Sequence, residues 1–209
     1  MTGTLYPFLG TGQVTVEDVT RSSVEKAGES LALRLRVLEG LGPALAECAD
    51  VLAAAFRSGG RLYTFGNGGS STDAQSVAQL FLTPGADGRS LPAMSLTGDA
   101  ALLTALGNDV DFDVIFARQL AALGRRGDIA LGLSTSGGSA NVLRGLEEAR
   151  RREMVTVGFA GSGGGRMATE ELADHLFVIP SSSVHRVQEA QTTACHVLWE
   201  LVQRSPAGA

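Results

Sequence analysis

Cationic side chains, cysteine and long apolar runs are all scarce in this chain, and each scarcity removes a class of function. Among 209 residues, 17 Lys and Arg stand against 22 Asp and Glu, a formal charge of −5. Duplex nucleic acid and anionic membranes are bound through clustered positive charge, so neither is expected as a partner. The two cysteines, Cys48 and Cys195, lie far apart and in no C-x-x-C pattern, which fits a reduced cytosolic protein better than a disulfide scaffold. No apolar run approaches the roughly 18 residues that read as a membrane span. The start, Met1-Thr2-Gly3-Thr4, lacks the basic residues and apolar stretch of a secretory signal. A cytoplasmic location is therefore the expectation. Six prolines form no linker and no repeat divides the chain, so one domain over 1–209 is expected.

What the chain does have is 44% hydrophobic residues and 27 glycines, most of them just after short apolar runs. Five such runs read as strands: Arg61 to Phe65, Pro92 to Leu96, Ile129 to Leu133, Val155 to Phe159 and His175 to Ile179. Helical patterns separate them, and that alternation predicts a parallel sheet covered on both faces, an α/β core over 61–180. Helices are also expected at Ser22 to Leu38 and Pro43 to Arg57, with Leu31, Leu35 and Leu38 spaced for one buried face, and at Arg186 to Gln203. The long apolar faces outside the sheet suggest packing between subunits. Residues 1–21 read as an arm whose Leu5, Tyr6, Phe8 and Leu9 dock elsewhere.

Two loops carry the functional signal. The first strand runs into Gly66-Asn67-Gly68-Gly69-Ser70-Ser71-Thr72-Asp73, and the third into Ser134-Thr135-Ser136-Gly137-Gly138-Ser139. Glycine lets the backbone approach a ligand, hydroxyls donate to it, and the helix that follows offers free N–H groups. Both loops fall on the carboxyl edge of one parallel sheet, where open α/β sheets bind ligands. Neither has the Gly-Lys-Ser/Thr of a triphosphate loop, and the first reads G-x-G-x-x-S rather than the dinucleotide G-x-G-x-x-G. Neither contains Lys or Arg, which suits a single phosphomonoester held by neutral donors. The third glycine-rich stretch, Gly161 to Gly165, lacks a hydroxyl cluster and reads as a structural turn.

Together, Gly66-Asn67-Gly68-Gly69-Ser70, Gly107-Asn108-Asp109, Ser134-Thr135-Ser136-Gly137 with Ser139, and Arg186-Val187-Gln188-Glu189 with His196 resemble the sugar isomerase (SIS) domain of the phosphoheptose isomerases. The likeness covers about Ser22 to Gln203. It implies a three-layer α/β/α sandwich with a five-stranded parallel sheet and N-terminal helices. It also implies a homotetramer with sites at subunit boundaries, and interconversion of sedoheptulose 7-phosphate with a heptose 7-phosphate. By the same resemblance, Ser70, Ser134, Thr135, Ser136 and Ser139 would hold the phosphate, while Asn67, Gly68, Gly69, Asn108, Asp109 and Gln188 would line the sugar.

Moving a carbonyl between C1 and C2 needs a base and an acid facing one enediol. In the family these are a Glu on the helix after the first loop and a His on the last helix. Many members also bind zinc through that Glu, a His four residues before it, and the Gln and His of the last helix. Gln188 and His196 match the last-helix pair and are the candidate catalytic residues. Ser76 and Leu80 stand where the other His and Glu belong. A leucine exchanges no proton, and a lone Gln with one His is a poor zinc site, so no metal or other cofactor is expected. Thr83-Pro84, Gly138 and His185 are further departures. Two readings follow. In one, the chain is an isomerase using His196, with Glu189, His185, Asp99 or Asp73 replacing the missing carboxylate. In the other, it is a non-catalytic sugar-phosphate sensor or tetrameric scaffold, similar to replication-initiator-binding relatives that also lack the Glu.

Overall fold

The computed structural model describes residues 15–85 and 88–205. A long helix α1 (Val16–Arg57) leads into five strands, β1 (Leu62–Gly66), β2 (Ala93–Ser95), β3 (Ile129–Ser134), β4 (Val155–Gly161) and β5 (His175–Ile179). Between them lie α2 (Gly69–Leu82), α3 (Ala100–Asp109), a 3₁₀ turn at Phe112–Val114, α4 (Ile115–Leu123), α5 (Ala140–Arg151) and α6 (Gly165–Thr169), and α7 (Val184–Arg204) closes the chain. The strands form one parallel sheet in the order β2-β1-β3-β4-β5. It is the α/β/α sandwich that the alternating runs predict.

Each face of the sheet has its own core. On one side Leu45 and Leu52 of α1, Phe81 of α2 and Leu198 of α7 bury Leu62, Leu131, Phe159 and Phe177. On the other, Ile115 and Phe116 of α4 and Leu146 of α5 pack against Tyr63, Phe65 and Ala130. Burial of both faces is why β1 and β3 are apolar at nearly every position rather than alternating.

The N-terminal region departs from expectation in two ways. Where Gly40-Leu41-Gly42-Pro43 suggested a break between two helices and residues 16–21 an arm, α1 runs 42 residues without interruption, opened by a capping box between Thr15 and Asp18. Proline removes one backbone bond, but Leu33, Val37, Leu45 and Leu52 continue one buried stripe across it, and packing of that stripe overrides the local break. The buried face is also not the expected one: Leu31 and Leu35 are 59% and 53% exposed, while Leu33 and Val37 are buried against Ile179 and Val187. The docking residues Leu5, Tyr6, Phe8 and Leu9 lie outside the described residues. Among the described residues, no helix is long and apolar enough to cross a membrane.

Candidate functional site

β1 and β3 are adjacent, with Gly66 in register with Leu133, so the loops that leave them stand side by side at one rim. In the second loop Ser134, buried at the end of β3, shares a hydrogen bond of 3.0 Å with Ser139 and lies 3.5 Å from the Ser136 hydroxyl. Ser136 also accepts from the Gly138 amide at 3.2 Å. Three hydroxyls thus converge within one turn. Thr135 is half-buried beside them, its carbonyl accepting from Gly161 N at 3.1 Å. Ser139 occupies the N-cap of α5 without using its side chain as the cap, because its hydroxyl is turned to Ser134. The Ala140 and Asn141 amides at the start of α5 therefore keep their donors for a guest, while Val142 N is spent on the Ser139 carbonyl at 3.0 Å.

The first loop has the same property. Gly68 at the N-cap of α2 supplies no side chain, and Ser70 is buried at the start of that helix. By contrast α1 and α3 are capped by their own Thr15 and Asp99. The two loops are joined by a contact that sequence reasoning missed: Asn67 donates to Asn141 at 2.7 Å and Asn141 donates back at 2.9 Å. Asn141, 2% exposed, is the second residue of α5. Its position beside the Ser139 cap was the available signal, but the pairing spans 74 residues and no local pattern announces it. Asn67 therefore spends one amide donor and one acceptor on holding the loops together.

The third glycine-rich stretch backs the second loop. A Cβ on Gly137 would collide with the Gly164 carbonyl, one on Gly165 with that of Ser136, and Met167 N donates to the Gly137 carbonyl at 2.8 Å. Gly161 to Gly165 is thus turn structure pressed against the serine loop. Gln188, on the first turns of α7, lies over the first loop: a Cβ on Gly69 would fall on its amide. Asp73 of α2 faces the same helix, and burial raises its carboxyl above the ordinary value, an effect partly offset by the Thr192 and Gln188 side chains. Its Oδ2 is buried without a hydrogen-bond partner.

The remaining candidates are not gathered here. Asn108 and Asp109 end α3 and bond to each other at 2.6 Å, exposed, without a hydrogen bond to either serine loop. His196 is exposed and makes no hydrogen bond among the described residues. It lies about 12 Å along α7 from Gln188 and about 80° around it, on roughly the same side of the helix. Glu189 points to α1, 3.6 Å from Arg34. Asp99 spends Oδ1 on the Leu102 amide at 2.9 Å, and His185 is exposed. Ser76 turns its hydroxyl to the Thr72 carbonyl at 3.0 Å. With that serine and Leu80 on α2, and only Gln188 and His196 on α7, the donor set does not fit zinc. Among the described residues no three His, Cys, Asp or Glu side chains cluster as a metal site would require.

A parallel α/β sandwich whose neighbouring loops present hydroxyls and free helix amides, but no cation, defines a SIS-type sugar-phosphate domain. Residues 27–161 match the SIS domain family, and the chain belongs to it. Its relatives there are phosphoheptose isomerases. That of Aquifex aeolicus (strain VF5) is 42% identical over 176 residues, 84% of this chain and 91% of the relative. That of Roseiflexus sp. (strain RS-1) is 39% identical over 190 residues, 90% and 95% of the two chains. The structure of the phosphoheptose isomerase from Neisseria gonorrhoeae superposes with a TM-score of 0.82 at 31% identity, covering 88% of this chain and 98% of that one. The Francisella tularensis structure gives 0.83 at 33%, covering 91% and 100%.

Proposed function

We propose that this protein binds a phosphorylated sugar with its phosphate in the serine loops and interconverts the aldose and ketose forms, with sedoheptulose 7-phosphate as the reference substrate. The observation that carries this reading is the convergence of Ser134, Ser136 and Ser139 beside the start of α5, which no side chain caps, tied through Asn141 to Asn67 of the first loop. Neutral donors and two helix N-termini favour a dianionic ester without requiring a counter-cation. Ser70 and Thr135 complete the phosphate end, and Gln188, Gly68 and Gly69 meet the sugar chain, with Asn67 framing it. Asn108 and Asp109 approach the sugar from α3 in an assembled homotetramer, whose formation would cover the exposed Leu31 and Leu35 of α1 and Leu102 of α3. The protein works in the cytoplasm without a metal.

In the reaction a proton leaves C2 of the aldose, an enediol forms, and a proton returns at C1 while the hydroxyl proton passes from O2 to O1. His196 is the proton carrier. Glu189 is held by Arg34, Asp99 caps α3, and Asp73 remains as the carboxyl beside Gln188. NMR of sedoheptulose 7-phosphate with the protein in D₂O tests this: deuterium enters C1 or C2, and His196→Ala abolishes the exchange. A second reading rests on Leu80 and Ser76, which leave the reacting end without its usual base. Tight binding of the sugar phosphate with no deuterium incorporation would select that sensor reading, and sugar-independent capture of one defined protein partner would select a scaffold.

A further inference from the structure

At the sheet edge opposite the serine loops, the segments entering β1 and β3 wall a cleft of about 140 Å³ lined by Ser58, Arg61, Arg125, Arg126 and Asp128. Its base is fixed. Asp128, 4% exposed, accepts from the backbone amides of Arg61 at 2.8 Å and Arg125 at 2.9 Å, stapling both segments. Gly60 lies so close to the other segment that a Cβ there would collide with the Gly127 carbonyl. The backbones that carry the arginines are thereby held in register.

Two of the three arginine side chains have nothing to bind. Nine described arginines pair with carboxylates, Arg126 among them at 3.2 Å from Glu153. Arg61 and Arg125 have no acidic partner and no side-chain hydrogen bond among the described residues, yet they come from different segments to one cleft. Two opposing features have to be weighed. The C-termini of α1 and α4 point to this edge, each worth about half a negative charge, but the Ala54, Ala55 and Phe56 carbonyls of α1 and the Leu120 carbonyl of α4 already accept from the amides of Ser58, Gly59, Gly60 and Gly124. Asp128 spends its oxygens on backbone N–H groups and Glu153 on Arg126. The three guanidiniums that line the cleft outnumber the two carboxylates there, Asp128 and Glu153.

We propose that this cleft is an anion site for a small polyvalent oxyanion of the phosphate class, gripped by the planar forks of Arg61 and Arg125 with Arg126 closing over it. Such forks match phosphate oxygens two at a time. The site is separate from the serine loops in both place and chemistry, since it selects by charge where they select by neutral donors. It stands whether or not the isomerase reading holds.

Inorganic pyrophosphate is the probe, measured by calorimetry and equilibrium dialysis on the full-length protein carrying Ser134→Ala and Ser139→Ala, which weakens the serine loops and isolates the cleft. One pyrophosphate per chain should remain, and adding Arg61→Ala with Arg125→Ala should weaken it at least about tenfold with the urea midpoint unchanged. Arg61→Lys with Arg125→Lys keeps the charge but not the forks and should restore the affinity only in part. Full restoration by lysine would reduce the cleft to a diffuse charge patch, and unchanged binding in the alanine protein, or none in the serine-deleted parent, would overturn the proposal outright.

Discussion

The clamp between Asn67 and Asn141 makes a prediction with an asymmetry that a mere contact would not have. Two neutral hydrogen bonds are worth about 1 kcal/mol each, net of water. Asn141→Ala removes both and leaves behind only the half-buried Asn67 amide, which can turn to solvent, so the loss is about 2 kcal/mol. Asn67→Ala removes the same two bonds but strands the Asn141 amide at 2% exposure. An orphaned buried amide adds about 2 kcal/mol more, for a total of about 4 kcal/mol. The double variant loses the bonds without stranding either amide and falls by about 2 to 3 kcal/mol, so the two single effects together exceed the double variant's loss by about 3 to 4 kcal/mol. Urea unfolding at one fixed protein concentration measures all three. Because the clamp joins the two ligand loops, both single variants should also bind sugar phosphate at least about tenfold more weakly. Additive single effects, or an Asn67→Ala variant no less stable than Asn141→Ala, would refute the reasoning.

Four further outcomes follow from the same geometry. Ser134→Ala and Ser139→Ala should each weaken sugar-phosphate binding about tenfold by calorimetry, one hydroxyl's worth of about 1.4 kcal/mol, while leaving the circular dichroism unchanged. Gly69→Ala places a methyl group on the Gln188 amide; the amide can swing away, so the melting point should hold while affinity for the sugar phosphate drops, and equal affinity would remove Gln188 from the site. Asp73 has a folded-state carboxyl raised above its unfolded value of about 3.8, chiefly by burial. The native state therefore holds that proton more tightly, and stability from this group is lost as pH rises from below the unfolded value up through the folded one. Asp73→Asn should flatten that decline in urea titrations across the acidic range, and parallel curves for the two proteins would contradict it. Burial, reinforced by Glu47, pushes the Cys48 thiol up to about 12, and burial likewise raises Cys195, so neither should react with iodoacetamide at pH 8 until the protein unfolds.

The parts of the fold that were legible in the sequence are those specified by neighbouring residues. Strands buried on both faces must be apolar nearly throughout, so β1, β3 and β4 stand out as runs, and the glycines and serines after β1 and β3 carry turn, hydroxyl and helix start within one contiguous segment. The continuity of α1 was hidden for the opposite reason: Gly40, Gly42 and Pro43 are local helix breakers, and only the distant partners of Leu33, Val37 and Leu45 outweigh them. Asn141 was hidden because its partner lies on another loop.

The same distinction separates the two ends of the site. Phosphate recognition needs amides and hydroxyls that a single turn presents together, and the hydrogen bonds that shape the cradle run within its loops, between them, or to the Gly161 and Met167 amides pressed behind the serine loop. Proton transfer needs side chains on α2 and α7 to face one point, and the rotation of those helices is set by Phe81, Cys195 and Leu198 in the core, not by the residues that would do the chemistry. Under the proposed function, Leu80 at the base position therefore alters the reacting end while leaving the Ser134, Ser136 and Ser139 hydroxyls where they are. That independence is what lets the proposed sugar-phosphate grip survive a change in the proposed reacting side chains.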